Sequence, residues 1–164
     1  RRAVERAELV YPKVFDRVCE TGRFGQKTGA GWYDYRPGDR TAHPSALVDE
    51  LVIAHSQASG IERRAIGDSE IVERLVYALV NEGAALLAEG HASRASDIDV
   101  VYLTGYGFPR WRGGPMQYAA EVGLQQVVER MRALQDAAID EARREAWIPA
   151  PLLVERAALG AGWS

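Results

Sequence analysis

Apolar residues recur at helical spacing along most of the chain, and the longest such stretch covers residues 70–89. Its apolar positions fall three or four residues apart, at Val72, Leu75, Val76, Leu79, Leu86 and Leu87. Asp68 or Ser69 can cap its start, and Gly90 can end it in a left-handed conformation. About 20 residues rising about 1.5 Å each give a rod of roughly 30 Å, which can cross a small domain. We therefore predict a central helix here.

Shorter helices are predicted on both sides of this central one. The next helix starts at Ser96-x-x-Asp99, a pattern similar to a capping box. Further helices are predicted at residues 12–21, 44–60, 115–122, 124–134, 136–146 and 151–159. No alternating strand pattern of useful length interrupts them, so the chain is predicted to form a compact all-α domain of roughly six helices.

Glycine punctuates residues 22–35, which read GRFGQKTGAGWYDY. A P-loop needs Gly-Lys-Ser/Thr, but here Gln26 precedes Lys27. The dinucleotide pattern G-x-G-x-x-G fails as well, because Asp34 stands where the third glycine belongs. The segment is therefore interpreted as a structured connector in which Trp32 packs on a neighbour, with cofactor binding as the weaker alternative. Together with the polar linker at 36–44, it separates residues 1–21, the expected tail of a preceding helical unit, from a helical domain at 45–164.

Composition excludes several classes of function. The net charge of −3 gives no electrostatic basis for nucleic-acid binding, and no apolar run reaches the roughly 18 residues of a membrane span. The single cysteine, Cys19, rules out an internal disulfide and is expected to serve packing. The three histidines, at positions 43, 55 and 91, show no metal-ligand spacing. The chain starts with Arg-Arg, so we expect it to be part of a longer protein in a reducing compartment.

The loop at 105–115 is rich in glycine and aromatic residues, including Trp111, Gly113 and Gly114. Large rings in a loop must pack on something, so the loop either folds back over the helices or faces a partner. Glu82 falls on the line of Leu75, Leu79 and Leu86, so partial burial is expected, with Asn81 on the next face. A buried acid needs a partner, which suggests that Glu82 accepts backbone N–H groups of a loop or meets Arg110 or Arg112. The alternative is an acid at a substrate site.

Three segments together resemble the C-terminal region of 3-hydroxyacyl-CoA dehydrogenases, most closely that of the multifunctional fatty-acid β-oxidation enzymes. They are GRFGQKTGAGWYDY, IVERLVYALVNEGAALLAEGHASRASDIDVVYLTGYGFPRWRGGPMQYA and WIPAPLLVERAALGAGW. The resemblance implies a fold like the C-terminal domain of 6-phosphogluconate dehydrogenase, and it implies the second of two helical copies that follow an NAD-binding Rossmann domain. It also implies a parent enzyme that oxidises a 3-hydroxyacyl-CoA and passes hydride to NAD.

The same resemblance implies that this chain holds no catalytic, cofactor-binding or metal-binding residue. The first helical copy of the family carries Ile-Val-Asn-Arg, whereas this chain has Ile71-Val72-Glu73-Arg74, so Glu73 stands at a degenerate position. Glu82, Trp111, Gly113, Gly114 and Trp32 are then structural or interface candidates.

Expected partners are the Rossmann domain and first helical copy of the parent chain, its acyl-CoA substrate, and a second copy of this chain in a homodimer. The expected location is the bacterial cytoplasm. Two alternatives stay open: a helical protein-interaction module unrelated to oxidation, and a small enzyme that uses Glu82.

Overall fold

The computed structural model describes residues 13–163, which form a series of α-helices. The helices are α1 (Val14–Glu20), α2 (Ala46–Ala58), α3 (Asp68–Ala88), α4 (Ala95–Gly105), α5 (Pro115–Val122), α6 (Leu124–Asp136), α7 (Glu141–Glu145) and α8 (Pro151–Ala158). Short 3-10 helices lie at Gln26–Thr28 and Arg110–Arg112. The all-α class is confirmed, with eight α-helices among the described residues rather than roughly six. The first twelve residues of the expected helical tail at 1–21 lie outside the described residues.

The chain divides into two compact units, with the boundary between Ala65 and Ile66. In the N-terminal unit α1 packs against α2, and the glycine-rich connector runs between them. Isolated β-bridges, rather than strands, fold the connector on itself; they pair Gly25 with Ala30, Ala30 with Asp34, and Asp34 with His43. These bridges give the glycine-rich connector a defined backbone conformation.

One arginine braces the connector from inside. The Arg23 side chain is only 11% exposed; its Nε donates to the carbonyl of Gly31 at 2.7 Å, and its Nη2 meets Asp34 Oδ1 at 2.6 Å. Gly31 cannot be larger, because an added Cβ would lie 2.7 Å from the Cα of Gly25. The two hydrogen bonds of the Arg23 side chain hold the two arms of the connector together.

The C-terminal unit is built around α3, which contacts α4, α5 and α8, while α6 packs on α5, α7 and α8. Its core consists of side chains with little or no exposure: Tyr77, Val80, Ala84, Ala119, Leu124, Val127, Val128, Met131, Ala150, Leu153 and Ala157. Gly83 lets α5 approach closely, because a Cβ there would lie 2.6 Å from the sulfur of Met116. No helix among the described residues is both long enough and apolar enough to cross a membrane.

Two local predictions are wrong. The predicted continuous helix over 136–146 is reduced to the short α7, because Asp140 breaks the run and caps the new start by accepting the backbone N–H of Arg143. The predicted capping box at Ser96-x-x-Asp99 is also misplaced. The helix begins at Ala95 with Arg94 as its N-cap, and the backbone N–H of Arg94 donates to Asp97 Oδ2 at 3.0 Å. This shift leaves Asp99 free for another role.

Candidate functional site

Asp99 fixes the loop between α4 and α5. Its side chain is buried, at 7% exposure, although its helix begins on the surface. Oδ1 accepts the backbone N–H of Met116 at 2.8 Å, and Oδ2 accepts that of Gln117 at 3.1 Å. Both are first-turn amides of α5, which have no partner within their own helix. Asp99 thus caps α5 from a neighbouring helix and closes the loop in between.

Opposing effects act on this carboxyl group. Burial raises the pKa of Asp99 above its usual value, while the hydrogen bonds from Met116 and Gln117 pull the pKa down and do not fully offset burial. A buried carboxylate with two amide donors is an anchor rather than a solvent-facing acid. The group therefore serves the loop and the start of α5.

Gly113 and Gly114 lie where the loop meets this anchor. Gly113 has φ 73° and ends the 3-10 helix in the left-handed region. Gly114 has φ 109° and ψ 171°, a conformation that is essentially reserved for glycine. A Cβ on Gly114 would lie 2.5 Å from Cγ of Asp99 and closer still to its Cβ and Oδ1. The two predicted glycine candidates thus have a backbone reason to be glycine.

The rings of this loop point outward. Trp111 is 76% exposed and Tyr106 is 75% exposed. The Arg112 guanidinium carbon lies 4.2 Å from the centre of the Trp111 ring and 5.3 Å from that of Tyr118. At Trp111 the loop does not fold its ring back over the helices. An anchored loop that displays a tryptophan on an arginine matches the other alternative, a partner-facing loop.

Glu82 does not fix the loop. It is exposed, so the prediction of partial burial is wrong, and the anchoring role belongs to Asp99. Glu82 lies on the same side of α3 as Leu75 and Leu79, and this outer side faces away from the core. The inner side of α3 is formed by Tyr77, Val80, Gly83 and Ala84. Sequence spacing could not separate these sides, because both are apolar.

The outer side of α3 is an exposed apolar stripe, which we call the α3 stripe: Ile71, Val72 and Leu75. Their exposures are 44%, 42% and 65%. Residues 71 and 75 are one turn apart, and 72 adjoins them, so they form one patch. A helix that is apolar on opposite sides is typical of a helix buried on both.

Glu73 is engaged in the fold. Arg130 Nε on α6 donates to Glu73 Oε2 at 2.6 Å. The pKa of the buried Tyr77 is raised, first by burial and then by the nearby Glu73 carboxylate. The Glu73 carboxylate is thus paired with the Arg130 guanidinium and lies near the Tyr77 phenol. The ion pair links α3 to α6.

Asn81 fastens the turn before α8. Its Nδ2 donates to the carbonyl of Ile148 at 3.0 Å, and its Oδ1 accepts the N–H of Ala150 at 2.7 Å. The sequence had marked Asn81 only by its position beside Glu82. Asp99 was noticed only as a local cap, since its partners lie 17 and 18 residues away.

Trp32 and His43 belong to the N-terminal unit, and His91 belongs to the C-terminal unit. Trp32 is 39% exposed and meets Phe15 edge-on, with ring centres 5.1 Å apart, so the predicted packing of its ring is partial. His43 Nε2 lies 3.7 Å from Asp39, and His91 Nε2 lies 3.4 Å from Glu89. Across residues 13–163 no group of three or more His, Cys, Asp or Glu side chains could hold a metal ion.

Comparison with known proteins extends this picture. The family model of the 3-hydroxyacyl-CoA dehydrogenase C-terminal domain matches residues 71–161. The chain is 48% identical over 151 residues to the peroxisomal bifunctional enzyme of Danio rerio, covering 92% of this chain and 21% of that protein. It is 45% identical over 131 residues to the peroxisomal bifunctional enzyme of Homo sapiens, covering 79% and 18%.

A bacterial relative matches more weakly. The fatty acid oxidation complex subunit alpha of a Psychrobacter strain is 28% identical over 120 residues, covering 73% of this chain and 17% of that protein. The chain spans about a fifth of the length of these curated relatives.

Proposed function

The chain belongs to the family of 3-hydroxyacyl-CoA dehydrogenase C-terminal domains, and from this we propose that it is a non-catalytic assembly domain of a longer dehydrogenase. The parent would oxidise a 3-hydroxyacyl-CoA to the 3-oxoacyl-CoA and reduce NAD, as part of fatty-acid β-oxidation. NAD and the acyl chain would be bound by the parent's other domains, and this chain would support the substrate site from outside.

The α3 stripe carries the assembly role. Leu75 is 65% exposed and Ile71 44%, on a helix whose opposite side already forms the core. Contiguous apolar side chains on a rigid helix favour a protein interface over solvent. The partner that fits is another helical domain, either the first copy in the parent chain or, for the isolated chain, a second copy of itself.

The proposal that this chain is non-catalytic is supported by the contacts of Glu73. The related motif has an asparagine at this position, and here the position carries a carboxylate paired with Arg130 on α6. A charge-assisted pair of this kind fixes the side chain toward its own fold. Glu73 thus contributes stability rather than chemistry.

Sedimentation velocity of the 164-residue chain tests the assembly role. We expect concentration-dependent association, weakened by Leu75→Asp about tenfold to a hundredfold, because burying a leucine is worth about 1.5–3 kcal/mol. Leu159→Asp is the matched control, since Leu159 is 68% exposed and is the C-cap residue of α8, outside the stripe. A clean monomer at high concentration, together with no binding to the separately expressed first helical copy, would refute the assembly role.

A second candidate is a helical interaction module unrelated to oxidation, and the displayed Trp111 on its anchored loop favours it. An upstream reading frame with a strand and a G-x-G-x-x-G motif would support the dehydrogenase instead. The expected location stays the bacterial cytoplasm, and one relative, from Psychrobacter, is bacterial. Relatives with "peroxisomal" in their names point the other way, and fractionation of the source cells decides between them.

A further inference from the structure

The loop between α4 and α5 carries two arginines that are not neutralised by the fold. Between Asp99 and Glu121 the sequence has no aspartate or glutamate, whereas Arg110 and Arg112 both lie in this stretch. The stretch is therefore positively charged in a chain whose net charge is −3. Within residues 13–163, neither arginine side chain forms an ion pair or a hydrogen bond. Surface charges normally mix signs, so this loop favours a negatively charged partner.

The Arg112 guanidinium is positioned by two aromatic rings. Its carbon lies 4.2 Å from the centre of the Trp111 ring and 5.3 Å from the centre of the Tyr118 ring. A cation–π contact does not use the N–H donors of a guanidinium on an oxygen acceptor. The planar fork of an arginine matches the two oxygens of a carboxylate. Arg112 is thus oriented by the fold and still able to bind a carboxylate from outside it.

The backbone that carries this arginine is held in place. The N–H of Phe108 donates to the carbonyl of Tyr102 at 3.0 Å, and the N–H of Arg112 donates to the carbonyl of Pro109 at 2.9 Å. Beyond the loop, Asp99 fixes the first turn of α5 through its two hydrogen bonds to backbone amides. A loop that is ordered before binding loses less entropy when a partner arrives.

The exposed rings of the loop indicate which class of macromolecule the partner belongs to. Trp111 is 76% exposed and Tyr106 is 75% exposed, and the Tyr106 ring centre lies 5.3 Å from that of Tyr102. Tryptophan, tyrosine and arginine are the residues that most often dominate the binding energy of protein interfaces. The net charge of −3 disfavours nucleic acid. A second copy of the same loop, facing the first across a twofold axis, would bring arginines against arginines.

We propose that the α4–α5 loop binds an acidic segment of a protein partner, with carboxylates on Arg110 and Arg112 and an apolar side chain against the Trp111 ring. Recognition of acidic motifs by arginine clusters is a recurrent mode of peptide binding. The surface consists of other residues than the α3 stripe, so it adds a second interface to the chain and does not depend on the assembly role.

Selection of random peptides displayed on phage against the 164-residue chain, followed by fluorescence anisotropy of the selected peptides, tests the site. We expect these peptides to carry Asp or Glu on both sides of an apolar residue. Arg110→Gln should weaken their binding about fivefold, as expected for one exposed ion pair. Arg112→Gln should weaken it about tenfold or more, because a two-pronged charge-assisted contact is lost. Arg112→Lys should lose most of that factor, because it keeps the charge but not the planar fork.

The matched control is Arg132→Gln, which removes the same charge at an exposed position of α6 and should leave peptide binding unchanged. Peptides with Asn and Gln in place of their acidic residues should bind the wild-type chain about tenfold more weakly or worse, a readout that needs no variant of the chain.

The proposal would be overturned by a selection that yields no binding peptides or only peptides without acidic residues. Equal losses in Arg112→Gln and Arg132→Gln would overturn it as well. Single-stranded oligouridine that binds more tightly than the peptides would assign the loop to nucleic acid instead. Loss of self-association in sedimentation of Arg112→Gln would assign it to a second copy. Association through the α3 stripe is tested separately with Leu75→Asp, so failure of one interface leaves the other standing.

Discussion

Replacing Gly114 by alanine is expected to destabilise the C-terminal unit by roughly 3–6 kcal/mol. The backbone at φ 109° and ψ 171° is strained for alanine by about 1–3 kcal/mol. The new Cβ would also lie within 2.5 Å of Asp99 Cγ, so the carboxylate must move away from Met116 and Gln117. Hydrogen bonds to a charged group are worth about 1.5–3 kcal/mol each, and part of this is lost.

Gly113 and Gly105 provide a graded control. Alanine at Gly113 would adopt a left-handed φ of 73°, and its Cβ would lie 2.6 Å from Cγ of Gln117. Because the Gln117 side chain is exposed and can turn away, the loss of unfolding free energy is expected to be about 1–2 kcal/mol. Alanine at Gly105 meets no atom within 4 Å and lies in the last turn of α4, so the cost is near zero.

The assay is urea unfolding followed by circular dichroism, with hydrogen exchange of the Met116 and Gln117 amides as the local readout. In an Asp99→Ala background the cost of Gly114→Ala should fall by about 1–3 kcal/mol, because the hydrogen bonds it breaks are already absent. A cost equal to that of Gly113→Ala, or one unchanged in the Asp99→Ala background, would refute the anchoring role of Asp99.

The exposed tryptophan and the buried aspartate give further tests. Trp111→Ala should change the unfolding free energy by less than about 1 kcal/mol, because it removes an exposed ring and one surface cation–π contact. A loss of several kcal/mol in the same urea unfolding assay would show that the ring is buried. Because burial raises the pKa of Asp99 above 3.8 in the folded chain, its contribution to stability is full below pH 3.8 and is lost as pH rises through the folded-state pKa. The unfolding free energy of the wild type should therefore fall relative to that of Asp99→Asn as the pH rises from 3.8 through the folded-state pKa of Asp99, and a constant difference would contradict the raised pKa.

Helix limits were predictable wherever a local signal sets them. Pro115 at the first position and Gly123 after the last turn mark α5, whose observed bounds Pro115–Val122 match the prediction. Proline likewise starts α8 at Pro151. The start of α4 was missed because its N-cap is Arg94, a residue type that rarely caps a helix.

The loop anchor could not be found in the same way. A carboxylate 17 residues from its amide partner leaves no periodic trace, and Asp99 also fits a local cap pattern that the chain does not use. The side of α3 that faces the core was ambiguous for another reason. Leu75 and Val80 are both apolar, and only the packing of α5 and α8 decides that Val80 is the buried one.

Three polar side chains of the C-terminal unit serve its own fold, while an apolar stripe is left on its surface. Asp99 anchors α5, Asn81 holds the turn before α8, and Glu73 ties α3 to Arg130 on α6. Leu75 on the outer side of α3 is meanwhile left 65% exposed on a helix whose opposite side forms the core. Because contiguous exposed apolar side chains on a rigid helix favour a protein interface, this distribution supports the proposed assembly role of the unit.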